Sequence, residues 1–389
     1  MKYNILCLFA SLVMIFNSCS HDDEPVNKVR TVLVYMVAQN SLSGFASKDY
    51  EEMKQGMAEI DPASCNLLVY IDDYSSPRLM HLTKDKKGQV VEEIVKEFEE
   101  QNSLDVSFMK GLISDAFLKY PSESYGLVLW SHGDGWLPKT MMRWWGQDGD
   151  NYLDISELHE VLQSVPHLDF LFFDACFMES VEVAYELRDC IDYLISSPTE
   201  IPGPGAPYNL VAPAFFAKEN AALAIAGAYY EYYKGLYNGG SGLSNNNWTA
   251  GASLGVAKCS ELEQLASATA KVLPKYIQNK QDIDVSGVMC YDKRNTQYYY
   301  DLERLIYKLT GGNSDYTEWK SAFDAAMIYW KTTPKNYSGL IRSMFEMDLD
   351  AGGISAYVPR SSSASINTFY QSLEWYKAAG WLQTGWSAV

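Results

Sequence analysis

The run Leu171-Phe172-Phe173-Asp174-Ala175-Cys176 decides how this chain is interpreted, because an unbroken apolar stretch ends there in an acidic and a nucleophilic side chain. Short apolar runs that do not alternate with polar residues are typical of strands buried on both faces of a parallel sheet. Runs of this kind predict five strands, at residues 31–37, 66–71, 125–130, 169–173 and 191–196. Reactive groups gather beyond the carboxyl ends of such strands, so residues 174–176 are expected at that edge.

Helix-like stretches separate these strands. They are predicted at residues 50–60, 106–119, 155–165 and 177–187. Asp154, with Glu157 three residues later, predicts a capping box at the start of the third helix. Strands that alternate with helices indicate an α/β fold, with helices on both faces of a mostly parallel sheet.

The composition changes after the Pro- and Gly-rich residues 198–207, and helices dominate from about residue 210. The predicted helices of this second half are 212–233, 260–278, 298–309, 315–331 and 366–379. The same half contains predicted strands at 252–257, 341–347 and 353–357, the last two as a pair.

Charge and composition restrict the classes of function. The 389 residues include 31 Lys and Arg against 49 Asp and Glu, a net charge of −18. Binding of nucleic acid or anionic lipid needs a basic surface, so both are disfavoured, whereas cationic partners would be attracted. The hydrophobic fraction of 47% is enough for a sizeable core and excludes a wholly disordered chain.

The beginning of the chain resembles an export signal. An apolar run at 5–16 follows a basic start and is too short to span a bilayer. Ser18 before Cys19 resembles a bacterial lipoprotein signal, in which the chain is cut before the cysteine and the cysteine is acylated. We therefore expect a signal peptide at 1–18, lipidation of Cys19 and an acidic tether at 19–29. The protein would be anchored in the outer membrane of a Gram-negative bacterium, on its surface or periplasmic face; the alternative is an ordinary cleaved signal.

His132 and Cys176 are the candidate catalytic residues. His132 follows the third predicted strand in the glycine-flanked turn 131–136, and Cys176 follows the fourth strand at the start of the predicted helix 177–187. A helix N-terminus lowers the pKa of a thiol. Adjacent parallel strands would bring this nucleophile to its acid/base partner. The alternative is a turn histidine and a buried cysteine that do not meet.

Other cysteines and histidines suggest no metal. Without Cys7 and Cys19, five cysteines remain, so at least one thiol stays unpaired in an exported protein. No Cys-x-x-Cys pair or histidine cluster indicates a zinc site.

Four motifs, in order, make the chain similar to the clostripain family of cysteine peptidases, in the caspase-like group that also holds gingipain, legumain and separase. The motifs are residues 31–42, 131–136, 173–185 and 200–205. The resemblance implies a caspase-like α/β/α sandwich with a mostly parallel sheet as the catalytic domain, at 30–210. It also implies a mainly helical C-terminal region, at 211–389, that completes the sheet and packs on that domain.

The resemblance implies a cysteine endopeptidase. The Cys176 thiolate would attack the scissile carbonyl, and His132 would protonate the leaving amine and then activate the water that releases the acyl-enzyme. The backbone N–H groups of Gly133 and Cys176 are candidates for stabilising the oxyanion. No third residue that orients the histidine is evident from the sequence, and the chemistry requires no cofactor.

Relatives often cut after Arg or Lys, which implies acidic substrate-binding residues. Asp174 and Glu200 are the candidates here, and the substrates would be proteins or peptides with basic residues. The alternative for Asp174 is a strand-end aspartate that caps the next helix. Pro204 and Ala206 depart from the pattern of the basic-specific relatives.

Two further family properties are expected, self-activation by cleavage in the loop at 137–150 and a dependence on calcium. Self-activation by cleavage would occur at Arg143, with Lys139 as the alternative. Calcium dependence occurs in the family, and Asp148, Asp150 and Asp154 are candidate ligands, although acidic loop residues are commonly only solvated.

Two other functions remain open. Tyrosine clusters at 229–233 and 298–300 are compatible with a non-catalytic surface lipoprotein, although aromatic residues at helical spacing usually belong to a core. An acyl transferase or peptide ligase would use the same dyad, with an amine in place of water.

Overall fold

A nine-stranded sheet forms the centre of the computed structural model, which describes residues 28–137 and 145–386. The strands of the chain are β1 (Arg30–Val37), β2 (Cys65–Asp72), β3 (Arg78–Lys84), β4 (Val90–Glu97), β5 (Ser124–Trp130), β6 (Trp145–Asp148), β7 (Asn151–Leu153), β8 (Leu168–Asp174), β9 (Ile191–Ser196), β10 (Ser253–Lys258), β11 (Tyr300–Asp301), β12 (Met327–Thr332), β13 (Lys335–Ser338), β14 (Ser343–Glu346) and β15 (Ser355–Ala356).

The helices follow the order expected of an α/β fold in the first half. They are α1 (Ser43–Met57), α2 (Val106–Lys119), α3 (Ile155–Leu162), α4 (Val181–Leu187), α5 (Tyr208–Ala214), α6 (Ala221–Leu236), α7 (Leu262–Tyr276), α8 (Leu302–Thr310), α9 (Ser314–Ala326), α10 (Ala364–Tyr370) and α11 (Glu374–Ala378).

The sheet has a parallel centre and antiparallel edges. Its order is β12-β10-β9-β8-β5-β1-β2-β3-β4, and the five strands from β9 to β2 are mutually parallel. β3 and β4 extend one edge and β10 and β12 the other, all antiparallel to their neighbours. The register pairs Trp130 at the end of β5 with Asp174 at the end of β8. The segments that follow these two strands therefore leave the sheet side by side.

Each face of the sheet is covered by its own set of helices. Along β1, Leu33, Tyr35 and Val37 pack on one side with apolar residues of α2, α3, α4, α7 and the C-terminal helices. Val32, Val34 and Met36 pack on the other side with residues of α1, α5 and α6. The predicted mostly parallel α/β/α sandwich is confirmed, and no strand of the parallel centre alternates between apolar and polar residues because both faces are buried.

The second half contributes more strand structure than the sequence indicates. The predicted helix at 315–331 is wrong at its end, because α9 stops at Ala326 and the chain continues as β12 along β10. The predicted pairing of 341–347 with 353–357 is also wrong. β14 pairs with β13 in a separate hairpin, and β15 pairs with β11. Backbone pairing with distant strands overrides the local helical periodicity here.

Two local predictions are confirmed, the capping box and the presence of an unpaired thiol. Asp154 and Glu157 form the capping box of α3. All five cysteines of the described part of the chain are free thiols. No helix within residues 28–137 and 145–386 is long and apolar enough to cross a bilayer. Cys19, Lys139 and Arg143, which carry the predicted lipidation and self-cleavage, lie outside the described residues.

Candidate active site

The turns that follow β5 and β8 pack directly against each other. A Cβ atom added to Gly133 would lie 2.7 Å from the carbonyl oxygen of Cys176 and 2.8 Å from the Cβ of Ala175. Only glycine fits such an approach without a shift of the backbone. His132 and Cys176 line the same cavity of about 200 Å³. The predicted meeting of the two turns thus has a physical basis in the register of β5 and β8.

Ser41 is a neighbour of His132 that sequence reasoning missed. Its Oγ lies 2.9 Å from Nε2 of His132. The preceding residue, Asn40, donates from Nδ2 to the carbonyl oxygens of Val37, at 3.0 Å, and Gln147, at 2.7 Å, and so holds the turn after β1 in place. Ser41 belongs to the first family motif, so the sequence does mark this residue. Its distance from His132 along the chain, however, gives no reason to expect contact between them.

The turn that carries Cys176 is bound to the segment after β9. The N–H groups of Phe177 and Glu179 donate to the carbonyl oxygens of Thr199, at 3.0 Å, and Ser197, at 3.1 Å. The N–H of Ile201 donates to Sγ of Cys176 at 3.4 Å. Phe177 adopts φ of +62°, a left-handed conformation that a bulky side chain rarely takes.

The expected position of Cys176 at a helix N-terminus is wrong. α4 begins at Val181, and its N-cap is Ser180, whose side chain accepts from the N–H of Val183. The positive φ of Phe177 breaks the helical path just after Cys176. Burial, followed by the negative charge of Glu200, raises the pKa of the Cys176 thiol to about 12, and the N–H of Ile201 opposes this shift. These surroundings therefore favour the thiol over the thiolate.

Asp174 lines the cavity, and only one of its two carboxyl oxygens accepts hydrogen bonds within the described part of the chain. Its side chain is buried, and Oδ2 accepts hydrogen bonds from the N–H of Ala206 and the hydroxyl of Tyr208, both at 3.0 Å. Oδ1 is also buried and has no hydrogen-bond partner among the described residues. Burial raises the pKa of this carboxyl to about 6. Asp174 does not cap α4, since Ser180 fills that position.

Asp49 is a second buried carboxyl beside Asp174 that sequence reasoning missed. Its Oδ2 accepts from Nε1 of Trp130 at 2.7 Å. A Cβ at Gly205, where φ is +74°, would lie 3.0 Å from Oδ2 of Asp174 and 3.2 Å from Oδ2 of Asp49. Burial, followed by the charge of Asp174, raises the pKa of Asp49 to about 9. The pair thus carries about one negative charge at neutral pH. Nothing in the sequence of α1 indicated that Asp49 would lie at this site.

Glu200 also lines the cavity, but its carboxylate is engaged by the β13–β14 hairpin. Oε1 accepts from the N–H of Gly339 at 2.9 Å. Burial raises the pKa of Glu200, and the nearby guanidinium of Arg294 opposes that shift. Glu200 therefore joins the hairpin to the cavity wall, while Asp174 has the free oxygen.

The three predicted calcium ligands do not gather at one point in the described part of the chain. The side chain of Asp154 accepts the N–H of Ser156 as the cap of α3, and Asp150 is exposed. Asp148 instead lies with Asp72 and Glu100, and their ligand oxygens fall within 4.8 Å of one another. In that group Oδ2 of Asp148 already accepts the N–H of Ser103 at 2.8 Å.

The fold and the paired turns together define the class of caspase-like cysteine peptidases. The chain belongs to the clostripain family, Peptidase C11, whose model matches residues 34–386. It is 27% identical over 228 residues to clostripain of Hathewaya histolytica, an alignment that covers 49% of this chain and 43% of clostripain. The chain thus spans less than half the length of that relative.

Solved structures extend the similarity over nearly the whole described chain. One is a secreted C11 cysteine protease of Bacteroides thetaiotaomicron in complex with an irreversible peptide inhibitor, 45% identical with a TM-score of 0.85. Another is an inactive zymogen of a C11 protease from Parabacteroides distasonis, 31% identical with a TM-score of 0.77. Each comparison covers 91% of this chain and 99% of the other.

Proposed function

We propose that this chain is a cysteine endopeptidase in which Cys176 is the nucleophile and His132 the acid/base partner. The observation that carries the proposal is the convergence of both side chains on one cavity, from the ends of neighbouring parallel strands. The family supports it, because the similar C11 structures are described as cysteine proteases.

The high pKa of the thiol dictates how the reaction begins. His132 removes the Cys176 proton as Sγ attacks the scissile carbonyl, and the N–H of Ile201 stabilises the developing negative charge on sulfur. The S–C bond forms while the carbonyl oxygen becomes an oxyanion, which the N–H groups of Gly133 and Cys176 stabilise. The imidazolium then protonates the departing amine as the C–N bond breaks.

Water completes the cycle. His132 takes a proton from water, the hydroxide adds to the acyl carbon, and the S–C bond breaks to release the acid and restore the thiol. Ser41, 2.9 Å from Nε2, orients the imidazole through both steps. No metal or organic cofactor enters this sequence. Calcium dependence remains a separate proposal, tested by assaying enzyme treated with EDTA before and after Ca²⁺ is restored.

The cavity favours a basic side chain at the substrate position before the cut bond. Asp174 lines the cavity and has a buried Oδ1 without a hydrogen-bond partner among the described residues, and a buried carboxylate is stabilised strongly by a guanidinium or ammonium partner. Glu200 adds negative charge at the wall. Pro204, between Gly203 and Gly205, has no charged side chain and cannot add to the negative charge of the cavity. The preference for a basic substrate residue therefore depends on Asp174.

Hydrolysis of reporter peptides ending in Arg, Lys, Asn or Asp tests the proposed activity. We expect cleavage after Arg or Lys by the wild type, and a loss of about 10³-fold or more with Cys176→Ala, because the nucleophile is removed. Cys259→Ala is the matched control, since Cys259 is a buried free thiol away from the cavity. Cleavage of none of the four would favour the binding lipoprotein. Transfer of the acyl group to an added amine in preference to water would favour the ligase.

The pKa of Asp174 predicts how binding of basic peptides depends on pH. Burial raises this pKa to about 6, so the carboxylate is ionised above pH 6 and becomes neutral below it. KM for an Arg peptide should therefore rise as the pH falls from 7 to 5. Asp174→Asn should raise KM by about 10²-fold at pH 7.5 and remove the pH dependence. An unchanged KM in this variant would contradict the role of Asp174.

We also propose that the chain is made as a zymogen and cleaves itself at Arg143, with Lys139 as the alternative. Support comes from the solved relative described as an inactive zymogen. The purified wild type should yield two fragments with a new N-terminus after residue 143, and Arg143→Ala should slow their formation. If Cys176→Ala breaks unaided at the same bond, self-cleavage is refuted.

Export as a lipoprotein is the last part of the proposal. A C11 protease that is similar over 91% of this chain is described as secreted, which supports export. Acylation of Cys19 would add the outer-membrane anchor. Palmitate labelling of the wild type, and its absence in Cys19→Ser, measures this modification directly; labelling that persists in the variant would contradict it.

A further inference from the structure

We propose that Arg294 and Tyr299, from the C-terminal region, form a clamp that holds the His132 and Cys176 turns in register. They act as positioning residues: neither needs to touch the substrate. The inference rests on the proposed function for its kinetic consequences, but the geometry of the clamp stands on contacts between described residues.

The first set of clamp contacts binds Asp134, in the turn that follows His132. The guanidinium of Arg294 forms an ion pair with Asp134, and each side chain is only 10% exposed. The hydroxyl of Tyr299 donates to the carbonyl oxygen of Asp134. At Gly135, where φ is +69°, an added Cβ would lie 2.5 Å from the Tyr299 hydroxyl oxygen, so the turn and the ring are in close contact.

The second half grips the turn that carries Cys176. The guanidinium carbon of Arg294 lies 4.9 Å from the ring centroid of Phe177, within the range of a cation–π contact. The Tyr299 ring stacks on Phe177 with a centroid distance of 5.4 Å and an angle of 15°. Phe177 is the residue with φ of +62°, a strained conformation that persists only where its surroundings impose it.

The clamp is itself built around a buried carboxylate. Asp292 is fully buried and lies 3.5 Å from Nη1 of Arg294. It also accepts the N–H groups of Tyr298, at 3.2 Å, and Tyr299, at 3.5 Å. The residues from 292 to 299 therefore form a closed loop that presents the guanidinium and the phenol side by side.

Arginine is the residue type that this arrangement requires. A planar guanidinium can pair with the Asp134 carboxylate at its edge and stack on Phe177 with its face, whereas a lysine ammonium has no planar face and cannot do both at once. A buried ion pair is weak evidence for a contribution to stability, because desolvation offsets the attraction. A contribution to the stability of the fold therefore does not by itself explain why an arginine occupies this position.

The clamped residues are the direct neighbours of the groups that react. Asp134 follows Gly133, and Phe177 follows Cys176, so the two proposed oxyanion donors are each one residue from a clamped position. Displacement of either turn by a fraction of an ångström would misalign these N–H groups and the proton transfer between Cys176 and His132. The consequence is a loss in kcat with little change in substrate affinity.

The test compares Arg294→Lys and Arg294→Ala with the wild type. Lysine keeps the charge and loses the stacking, so we expect kcat to fall by about 10-fold while KM stays within about 3-fold. Arg294→Ala should lose about 10²-fold in kcat, and added guanidinium should restore part of it. Arg188→Ala is the matched control: Arg188 is also stacked, 3.8 Å from the Tyr185 ring centroid, and paired with Glu263, away from the cavity.

Alkylation of Cys176 by iodoacetamide supplies a readout that does not need peptide hydrolysis. In Arg294→Lys the rate should fall near neutral pH and its pH profile should move upward, because His132 no longer lines up with the thiol. The Arg188 variant should keep the wild-type profile. If iodoacetamide alkylates Cys176 with the expected profiles in the wild type and in the variants, but the wild type cleaves no peptide, the proposed function is contradicted and the clamp is still supported.

Two results would overturn the clamp. One is a wild-type kcat and alkylation profile in Arg294→Lys. The other is a loss of activity in Arg294→Ala that added guanidinium does not restore, together with an equal loss of activity in Arg188→Ala for an equal fall in melting temperature. That result would show that the activity is lost through reduced stability alone.

Discussion

The parallel register of β5 and β8 is the constraint on which the rest of the site depends. It aligns Trp130 with Asp174, so that the next residues of both strands leave the sheet as neighbouring turns. His132 and Cys176 each lie two residues beyond that aligned pair. A shift of one residue in the pairing would reverse the face of every side chain in one strand and separate the dyad from its cavity. The buried strands on both sides make such a shift costly.

Burial gives the site its electrostatic character. Burial of Cys176, together with the charge of Glu200, disfavours the thiolate, and no helix N-terminus of the described chain lies at Cys176 to offset this. In the proposed mechanism the histidine therefore removes the thiol proton. The same burial raises the pKa of Asp49 to about 9 and that of Asp174 to about 6, so Asp174 is the more readily ionised carboxyl of the two. In the proposed mechanism, one environment thus makes the nucleophile depend on its partner and leaves a carboxylate for a basic substrate group.

Much of this site could be predicted because the relevant signals are local. Buried parallel strands are recognisable in the sequence as apolar runs. The residues that directly follow them, such as His132 and Cys176, can therefore be proposed as site residues. Ser41, Asp49 and Arg294 could not be found this way, because each reaches the site from another element through the tertiary fold. The start of α4 was missed for a related reason: the left-handed Phe177 is held by Tyr299 and Arg294, far along the chain. Likewise β12 was missed because its pairing with the distant strand β10 is not visible in the local helical periodicity of residues 315–331.

The rate at which iodoacetamide alkylates Cys176 in the wild type and in His132→Ala, measured from pH 5 to pH 10, tests the central pairing most directly. If His132 accepts the proton of a thiol whose own pKa is raised, the wild type should react at least about 10-fold faster than the variant at pH 7. The difference should narrow toward pH 10, where hydroxide removes the proton without help. Superimposable profiles across the whole range would contradict the account, because they would show that the histidine does not act on the thiol.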